Sequence, residues 1–281
     1  MNNSIPNWQH HSNKEKKRKL KPQALRQAKA RLKAFKKRFI GHPKGDLFSL
    51  NPDLKVEEEQ FQGTTFYYIM DFYEDPEEVA DFLFNREVPL WKGNEQPSMN
   101  SLYFDDRRLQ TYDDRIFPVL RFLSNLCGQC PYSYDTGLAE TVCTNMTRFL
   151  DNPYNNYENC IWWPHRDAGY NGIVYFNEDD DECGTNFYSE YCEEEAKVID
   201  SVPEHSLPWR PRARYNIIKQ VKPEYNMLVL FDGNRFPHGM NISNKRYFGE
   251  EYRRNQVFFM DRHRPVKELT QENVLRRYGG L

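Results

Sequence analysis

The sequence predicts a mainly β protein with flanking helices, an arrangement of the α+β class. Two observations carry this prediction. Apolar residues recur at helical spacing in the first half of the chain, and short β-type runs separated by turn-rich breaks fill the second half. Helices followed by strands indicate helices packed on a β core. With 281 residues and 15% aromatic side chains, the chain can form one large domain, or one domain with appendages.

A basic N-terminal arm, residues 1–42, is predicted to precede the main domain, residues 43–281. Residues 13–38 contain thirteen Lys or Arg and one acid, which leaves 26 of the 39 basic and 40 of the 41 acidic residues for the rest of the chain. Residues 1–19 are polar and Lys-rich, which is typical of disorder. The sequence therefore joins a basic arm to an acidic body.

The second part of the arm has the spacing of an amphipathic helix. Its apolar residues are Leu25, Ala28, Leu32, Phe35 and Phe39. Such a helix either docks on the protein's own acidic body or binds an anionic partner, which could be nucleic acid, another protein or a membrane surface. Gly41–Gly45 marks the boundary with the main domain.

Helical support for the β core is predicted over about residues 70–130. A strand at Thr64–Ile69 comes first, because this run is β-branched and aromatic. Asp75-Pro76 then begins a helix, with proline in its first turn and acids near its positive end. A second helical pattern runs from Ile116 to Leu126 and ends near Gly128.

The β core is predicted over about residues 143–262. Many short strands with polar breaks suggest a sandwich or a barrel. The strand-like runs are Ile173–Phe176, Thr185–Tyr188, Tyr215–Ile218, Met227–Phe231 and Gln256–Phe259. Residues 266–277 are predicted to form one more helix.

Cysteine content and hydropathy indicate whether the chain forms disulfides and in which compartment it lies. Six cysteines are too sparse for a disulfide scaffold, and Cys127-Gly-Gln-Cys130 has no second CxxC to complete a zinc site. We interpret them as structural thiols, with a metal or redox role as the alternative. No apolar run has the length of a membrane span, and no signal-peptide core follows the first Met. We therefore expect a cytoplasmic protein.

The most informative motif is His165-Arg-Asp167, with His238 73 positions after the first histidine. Two imidazoles and one carboxylate form the ligand set that holds a single Fe(II) on one face. A His-x-Asp pair alone is weak evidence, and a structural histidine is the alternative. However, residues two apart on a strand point to the same side, and a predicted strand with a glycine-containing turn precedes His238.

An arginine pair, Arg253-Arg254, opens a further predicted strand. An oxygenase that activates O2 at Fe(II) commonly takes electrons from a 2-oxo acid, whose remote carboxylate suits a buried arginine. The alternative is a surface pair that meets Glu250 and Glu251. Neighbours on a strand face opposite sides, so at most one of the two arginines reaches an interior site.

Over residues 64–260 these motifs resemble the 2-oxoglutarate/Fe(II)-dependent dioxygenases, specifically the prolyl-4-hydroxylase-like branch. The segments that carry the resemblance are Asp71–Val79, Pro164–Asp167, Val174–Asn177, Glu182–Phe187, Tyr225–Phe231 and Pro237–Gly239. Two departures are Cys183-Gly184 in place of two glycines, and an acidic insert from Glu190 to about Asp200 that lengthens the gap before His238.

The resemblance implies a double-stranded β-helix, a jelly-roll or cupin-like core, with Fe(II) held by His165, Asp167 and His238. It implies 2-oxoglutarate and O2 as co-substrates, with 2-oxoglutarate bound by Arg253 in preference to Arg254. It also implies contacts of 2-oxoglutarate with Asn255, which belongs to the same Arg-x-Ser/Thr-like element, and with Tyr157, the nearest match to the upstream tyrosine that bonds the 2-oxo acid in this family. The implied reaction hydroxylates a C–H bond of an amino-acid, peptidyl (proline-like) or small-molecule substrate and releases succinate and CO2.

Two other functions fit parts of the pattern. Nucleic-acid oxidative demethylases carry Arg-x-Asn-x-Thr-x-Arg, of which Arg253 and Asn255 match the first two elements while Val257 and Phe259 replace the rest. The basic arm favours this alternative, and the acidic body opposes it. A non-catalytic jelly-roll binding module is the second alternative, and an intact set of two His, one Asp and one Arg opposes it.

Overall fold

A computed structural model describes most of the domain that follows the basic arm. The described residues are 46–89, 104–110, 113–131, 142–149, 160–162, 164–177, 184–189, 209–211, 215–242 and 246–265. The basic arm, its boundary at Gly41–Gly45, Tyr157, the acidic insert and the predicted helix over 266–277 lie outside these residues.

The described part of the chain is mostly β-structure with two α-helices. Helix α1 is Pro76–Phe84, and α2 is Phe117–Cys127, which follows a 3-10 turn at Asp114–Ile116. The strands are β1 Lys55–Phe61, β2 Thr64–Met70, β3 Phe104–Gln110, β4 Gln129–Pro131, β5 Val142–Phe149, β6 Cys160–Trp162, β7 Tyr170–Tyr175, β8 Thr185–Tyr188, β9 Trp209–Pro211, β10 Ile217–Val221, β11 Leu228–Asp232, β12 His238–Met240 and β13 Arg253–Pro265.

Residues that favour helix ends account for the start of α1 and the end of α2. Asp75 caps α1 by accepting a hydrogen bond from the Glu78 amide at 3.0 Å, and proline occupies the first turn. Gly128 ends α2 with φ of 76°, a left-handed conformation that glycine adopts without strain. The two predicted helices are therefore confirmed, and β3 lies between them.

The strands form antiparallel sheets. The largest has eight strands in the order β1-β2-β11-β7-β13-β5-β3, with β4 paired to β13. A three-stranded sheet has the order β10-β8-β12, and β6 pairs with β9. The five strand-like runs predicted in the second half all lie in or overlap strands, and the strand predicted at Thr64–Ile69 lies in β2. The mainly β class is therefore confirmed.

An apolar core lies between the eight-stranded and three-stranded sheets. Side chains from both sheets contribute to it, so the two sheets face each other. The buried members are Phe66, Ile173, Tyr175, Phe187, Val221, Met227, Val229, Phe231, Phe236 and Val257. Alternate residues of β7, β11 and β13 point into this core, as the two-residue period of a strand requires.

The two helices cover the opposite face of the large sheet. Phe84 of α1 contacts Phe176 at a ring-centroid distance of 5.4 Å, and Phe122 of α2 contacts Phe72 at 6.1 Å. The Tyr73 hydroxyl donates to the Gln256 side-chain oxygen at 2.6 Å, which ties the segment before α1 to β13. No helix in the described part of the chain is long and apolar enough to cross a membrane.

Candidate metal centre

The three predicted ligands meet at one end of the three-stranded sheet. His165 and Asp167 lie between β6 and β7, and His238 is the first residue of β12. The His165 amide donates to the His238 carbonyl at 3.0 Å, and the His238 amide donates to the His165 carbonyl at 2.8 Å. This antiparallel bridge brings two residues 73 positions apart onto neighbouring backbone segments.

The loop that carries Asp167 is fixed to the turn after β11. The Asp167 amide donates to the Gly233 carbonyl at 3.0 Å, and the Gly233 amide donates to the Gly169 carbonyl at 2.9 Å. A side chain on Gly169 would overlap the Met260 carbonyl oxygen, which would lie 2.1 Å from an added Cβ. Glycine is therefore required for this close approach of loop and sheet.

The ligand atoms of the three side chains converge. The Nε2 atom of His238 lies 3.1 Å from Oδ2 of Asp167, and Nε2 of His165 lies 4.0 Å from the same oxygen. One ligand atom from each residue falls within 4.8 Å of the other two. Among the described residues, this is the group of His, Cys, Asp and Glu side chains that could hold a metal ion.

Hydrogen bonding selects the metal-binding nitrogen of His238. Its Nδ1 lies 3.2 Å from the Phe236 carbonyl oxygen, to which it donates. The lone pair of the neutral ring is then on Nε2, the atom that faces Asp167. The ring is 4% exposed as a side chain, and Phe231 packs against it at a centroid distance of 5.0 Å. The orientation of this ligand is therefore set before any ion binds.

Asp167 is held in its ionised form. Burial by itself raises the pKa of this carboxyl group. However, the hydrogen bond that His238 donates when protonated, the positive charges that His165 and His238 carry in that form, and the hydrogen bond from Asn171 together lower the pKa well below its usual range. An ionised carboxylate is the form that a cation requires.

The donor set fits Fe(II) as a cofactor. Two ligand atoms that each lie about 2.1 Å from one ion, at right angles, are about 3.0 Å apart. The separation of 3.1 Å between His238 and Asp167 matches this value. Nε2 of His165 lies 4.0 Å from the same carboxylate oxygen, and the His165 side chain is 32% exposed.

Arg253 and Arg254 point to opposite faces of β13, as predicted. Arg253 is 4% exposed, donates to the Gly184 carbonyl at 3.2 Å and lies 5.7 Å from the Tyr175 ring centroid. Arg254 is exposed on the helix-covered face, near Phe84. Only Arg253 therefore shares the interior with the three metal-site residues.

Asn255 is also buried, but its contacts are with the protein. Its side-chain oxygen accepts a hydrogen bond from Asn145 at 3.3 Å, and the residue is 2% exposed. It lies one step along the interior face of β13 from Arg253. Tyr157, the third residue predicted to contact 2-oxoglutarate, lies outside the described residues.

Sequence reasoning missed three residues that line this interior. The Tyr175 hydroxyl is 2.8 Å from the Thr185 hydroxyl, close to the Arg253 guanidinium. Asn171 donates to Asp167 and lies beside His238. One signal was available in the sequence. Asn171, Ile173 and Tyr175 alternate along a strand, so two polar groups share a face with core residues.

Comparisons with known proteins give remote structural likenesses. No protein-family model matches the chain, and no curated protein matches it either. The N-substituted L-amino acid dioxygenase of Burkholderia ambifaria is 15% identical with a TM-score of 0.31, over 50% of this chain and 57% of that one. Its complex with α-ketoglutarate is 14% identical with a TM-score of 0.21, over 66% and 57%.

A plant enzyme is similar over more of the chain. The dioxygenase for auxin oxidation 1 from Arabidopsis thaliana, solved with 2-oxoglutarate, is 10% identical with a TM-score of 0.31. The match covers 84% of this chain and 79% of the plant chain. The match to the Burkholderia enzyme spans little more than half of that enzyme's length.

Proposed function

We propose that this protein is an Fe(II)- and 2-oxoglutarate-dependent dioxygenase of the prolyl-4-hydroxylase-like branch. The observation that carries the proposal is the convergence of His165, Asp167 and His238 on the interior that also contains Arg253. A facial set of two imidazoles and one carboxylate leaves coordination positions for a co-substrate and O2. A buried arginine on the same interior gives that co-substrate a fixed charged partner.

The strand order supports a double-stranded β-helix as the fold. From β7 to β13, apart from β9, which pairs with β6, the chain visits the large sheet at β7, the small sheet at β8 and β10, the large sheet at β11, the small sheet at β12 and the large sheet again at β13. A chain that alternates between two facing antiparallel sheets is typical of a jelly roll. The metal-site residues lie at one end of this arrangement.

His165, Asp167 and His238 would hold the iron. When bound, Fe(II) together with 2-oxoglutarate would supply the oxidising chemistry that hydroxylates a C–H bond, with release of succinate and CO2. The contribution of the protein is to orient the three ligands through the backbone bridge and the Phe236 carbonyl. Buried Phe187 and Phe231 exclude water from the inner side of His238.

Arg253, Tyr175 and Thr185 would bind the distal carboxylate of 2-oxoglutarate. The guanidinium supplies a permanent charge and two parallel donors, and the two hydroxyl groups supply further hydrogen bonds. Across β7 and β13, Tyr175 pairs with Asn255, whereas Asn171 at the metal end pairs with Phe259. The carboxylate group would therefore lie deep in the interior, away from the metal end.

The substrate we propose is polar, either an amino acid, a proline-like peptidyl group or another small molecule. Support comes from the neighbouring strands β5 and β3, where polar residues lie in register with Arg253 on the interior face of the large sheet. Thr147 pairs with Arg253 and Asp106 pairs with Thr147, and the Thr147 hydroxyl donates to Asp106 at 3.0 Å. An interior with charged and amide side chains on one side suits a polar substrate.

Turnover of 2-oxoglutarate tests the function. Purified protein supplied with Fe(II) and 2-oxoglutarate is expected to release succinate, and His165→Ala is expected to abolish this release. A substrate screen by mass spectrometry should then find a product heavier by one oxygen atom, formed only when 2-oxoglutarate is present. Equal succinate release by wild type and His165→Ala would contradict the assignment of the metal centre.

We also propose an anionic partner for the basic arm. The support is the cluster of thirteen Lys or Arg in residues 13–38, because clustered cations bind phosphate-rich surfaces in a salt-dependent manner. Full-length protein is expected to bind RNA or anionic vesicles at low salt and to lose this binding when residues 1–42 are deleted. Equal binding by both forms would contradict the proposal.

A further inference from the structure

We propose that Asn171 is a positioning residue of the metal centre, whose side-chain amide sets the affinity of the site for a divalent cation. The proposal concerns the same cation site as the proposed function and rests on it for the identity of the three ligands. It adds a fourth side chain, on β7, that does not itself need to coordinate the ion. Its role is to hold the Asp167 carboxylate in the position that coordination requires.

The contacts of Asn171 involve two of the three ligands. Its Nδ2 donates to Oδ2 of Asp167 and lies 3.3 Å from Nε2 of His238. These are the two atoms that lie 3.1 Å apart in the centre. Asn171 is 2% exposed, so water does not compete for either contact.

In the metal-free protein, the amide hydrogens of Asn171 lie where a bound cation would otherwise face the ligand atoms of His238 and Asp167. His238 donates from Nδ1 to Phe236, so in the neutral ring Nε2 is an acceptor, and the ionised carboxylate of Asp167 offers only acceptors. The two hydrogens of the Asn171 amide group can satisfy both acceptors. Nε2 of His238 would coordinate a bound cation, and the hydrogen bond from Asn171 to Asp167 would be retained, because a carboxylate oxygen can accept a hydrogen bond and coordinate at the same time.

The position of the amide is fixed by its surroundings. The Asn171 backbone pairs with Phe231 of β11 on one side and with Phe259 of β13 on the other. A Cβ added to Gly233 would lie 2.9 Å from Nδ2 and 3.1 Å from Cγ of Asn171. The amide fits because residue 233 has no side chain, and Gly233 also accepts the Asp167 amide hydrogen.

The other end of the amide indicates a role beyond packing. Its Oδ1 is buried and has no hydrogen-bond partner among the described residues. A buried polar atom without a partner is unfavourable, and leucine, which has nearly the same shape, would avoid that cost. The benefit that offsets this cost is the pair of contacts that Nδ2 makes with the metal ligands.

Cation titration of three variants tests the proposal. Asn171→Ala removes the amide, Asn171→Leu replaces it with an apolar group of similar shape, and Asn186→Ala is the matched control. Asn186 is 3% exposed, and its amide bonds to Asn241 and Gln220, neither of which belongs to the candidate metal centre. The probes are Mn(II), followed by calorimetry, and Co(II), followed by its visible absorption spectrum.

Both Asn171 variants are expected to bind Mn(II) about 10- to 100-fold more weakly than wild type, as is typical when a group that orients a metal ligand is lost. Their Co(II) spectra should differ from that of the wild type, because a carboxylate that is no longer held changes the ligand field. Asn186→Ala should keep the wild-type affinity and spectrum.

Each contrary outcome has a distinct meaning. Wild-type affinity and spectrum in a folded Asn171→Leu variant would overturn the positioning role, whatever the outcome of the turnover assay. A wild type whose Mn(II) affinity depends on Asn171 but which releases no succinate would overturn the proposed function and leave this inference standing. A wild type that binds neither Mn(II) nor Co(II) would overturn both.

Discussion

Arg253 and Arg254 provide a matched pair for testing how the co-substrate binds. Arg253→Lys keeps a charge at the buried position but loses the planar fork that pairs with a carboxylate. We expect the KM for 2-oxoglutarate to rise about 10- to 100-fold, in line with the loss of a bidentate hydrogen-bonded ion pair. Steady-state succinate release at varied 2-oxoglutarate measures this change.

Arg254→Lys is the control for that measurement. Arg254 is exposed on the face that carries α1, so its replacement should leave the KM for 2-oxoglutarate within a factor of about 2, as surface substitutions usually do. A larger effect at Arg254 than at Arg253 would reverse the assignment of the two arginines.

The Tyr175 hydroxyl is the second group expected to bind the distal carboxylate. Tyr175→Phe keeps the ring in the core but removes the hydroxyl group that now lies 2.8 Å from the Thr185 hydroxyl. We expect the KM for 2-oxoglutarate to rise about 3- to 10-fold, the value of one hydrogen bond. Tyr188→Phe is the control, because the buried Tyr188 ring packs against Tyr215. An equal rise in the KM for 2-oxoglutarate in both variants would contradict a specific role for Tyr175.

The three residues of the candidate metal centre were picked out from the sequence, but the side chains that contact them were not. His165 and Asp167 stand two apart, and His238 follows a strand and a turn, which is local information. Asn171 and Tyr175 can be assigned to the site only once the pairing of β7 with β11 and β13 is known. That register depends on contacts between residues more than 50 positions apart, which no local pattern encodes.

Two elements are joined through the turn before β11. Asn226 has a positive φ of 59°, its Oδ1 accepts from the Tyr73 amide at 2.9 Å, and its Nδ2 donates to the Tyr73 carbonyl at 3.0 Å. Asn226→Ala should lower the free energy of unfolding by about 2–4 kcal/mol, because it removes two buried hydrogen bonds and strains the backbone. Urea denaturation measures the change.

Asn226→Gly separates the two contributions. Glycine adopts a positive φ without strain, so this variant should lose only the hydrogen bonds and should be more stable than Asn226→Ala by about 1 kcal/mol. Equal stability of the two variants would show that the turn relaxes and that backbone strain does not contribute.

Elements with strong local signals were predicted well. Helix α1 has proline in its first turn and Asp75 as its cap, and α2 ends at Gly128. Strand β3 was not predicted, because Phe104–Gln110 contains four charged residues, Asp105, Asp106, Arg107 and Arg108. Those side chains are stabilised by ion pairs within the sheet, such as that of Asp105 with Arg148, which depend on the tertiary structure.

At the scale of the whole molecule, the interior is divided into an apolar part and a polar part. Phe66, Phe187 and Phe231 fill one side, whereas Arg253, Asn255 and Thr147 are buried on the other. Buried charged and amide groups cost stability unless they are bonded. A molecule with this division should therefore gain stability when ligands bind its polar side.

Thermal unfolding with and without ligands tests this coupling. A ligand that binds only the folded state, present at a concentration of 100 times its Kd, stabilises that state by about 2.7 kcal/mol. Mn(II) should therefore raise the melting temperature by several degrees. 2-Oxoglutarate should raise it further only when Mn(II) is present. Chelation by EDTA should reverse both shifts. His238→Ala should show neither shift.

The same coupling should depend on pH in a definite direction. The lowered pKa of Asp167 keeps its carboxylate ionised in mild acid, so protonation of this carboxylate should not be what ends Mn(II) binding there. Protons nevertheless compete with a metal ion for nitrogen ligands as the pH falls. The shift should therefore be full at neutral pH and should decline as the pH falls. A shift that is constant with pH, or that persists in His238→Ala, would show that the ion binds elsewhere in the chain.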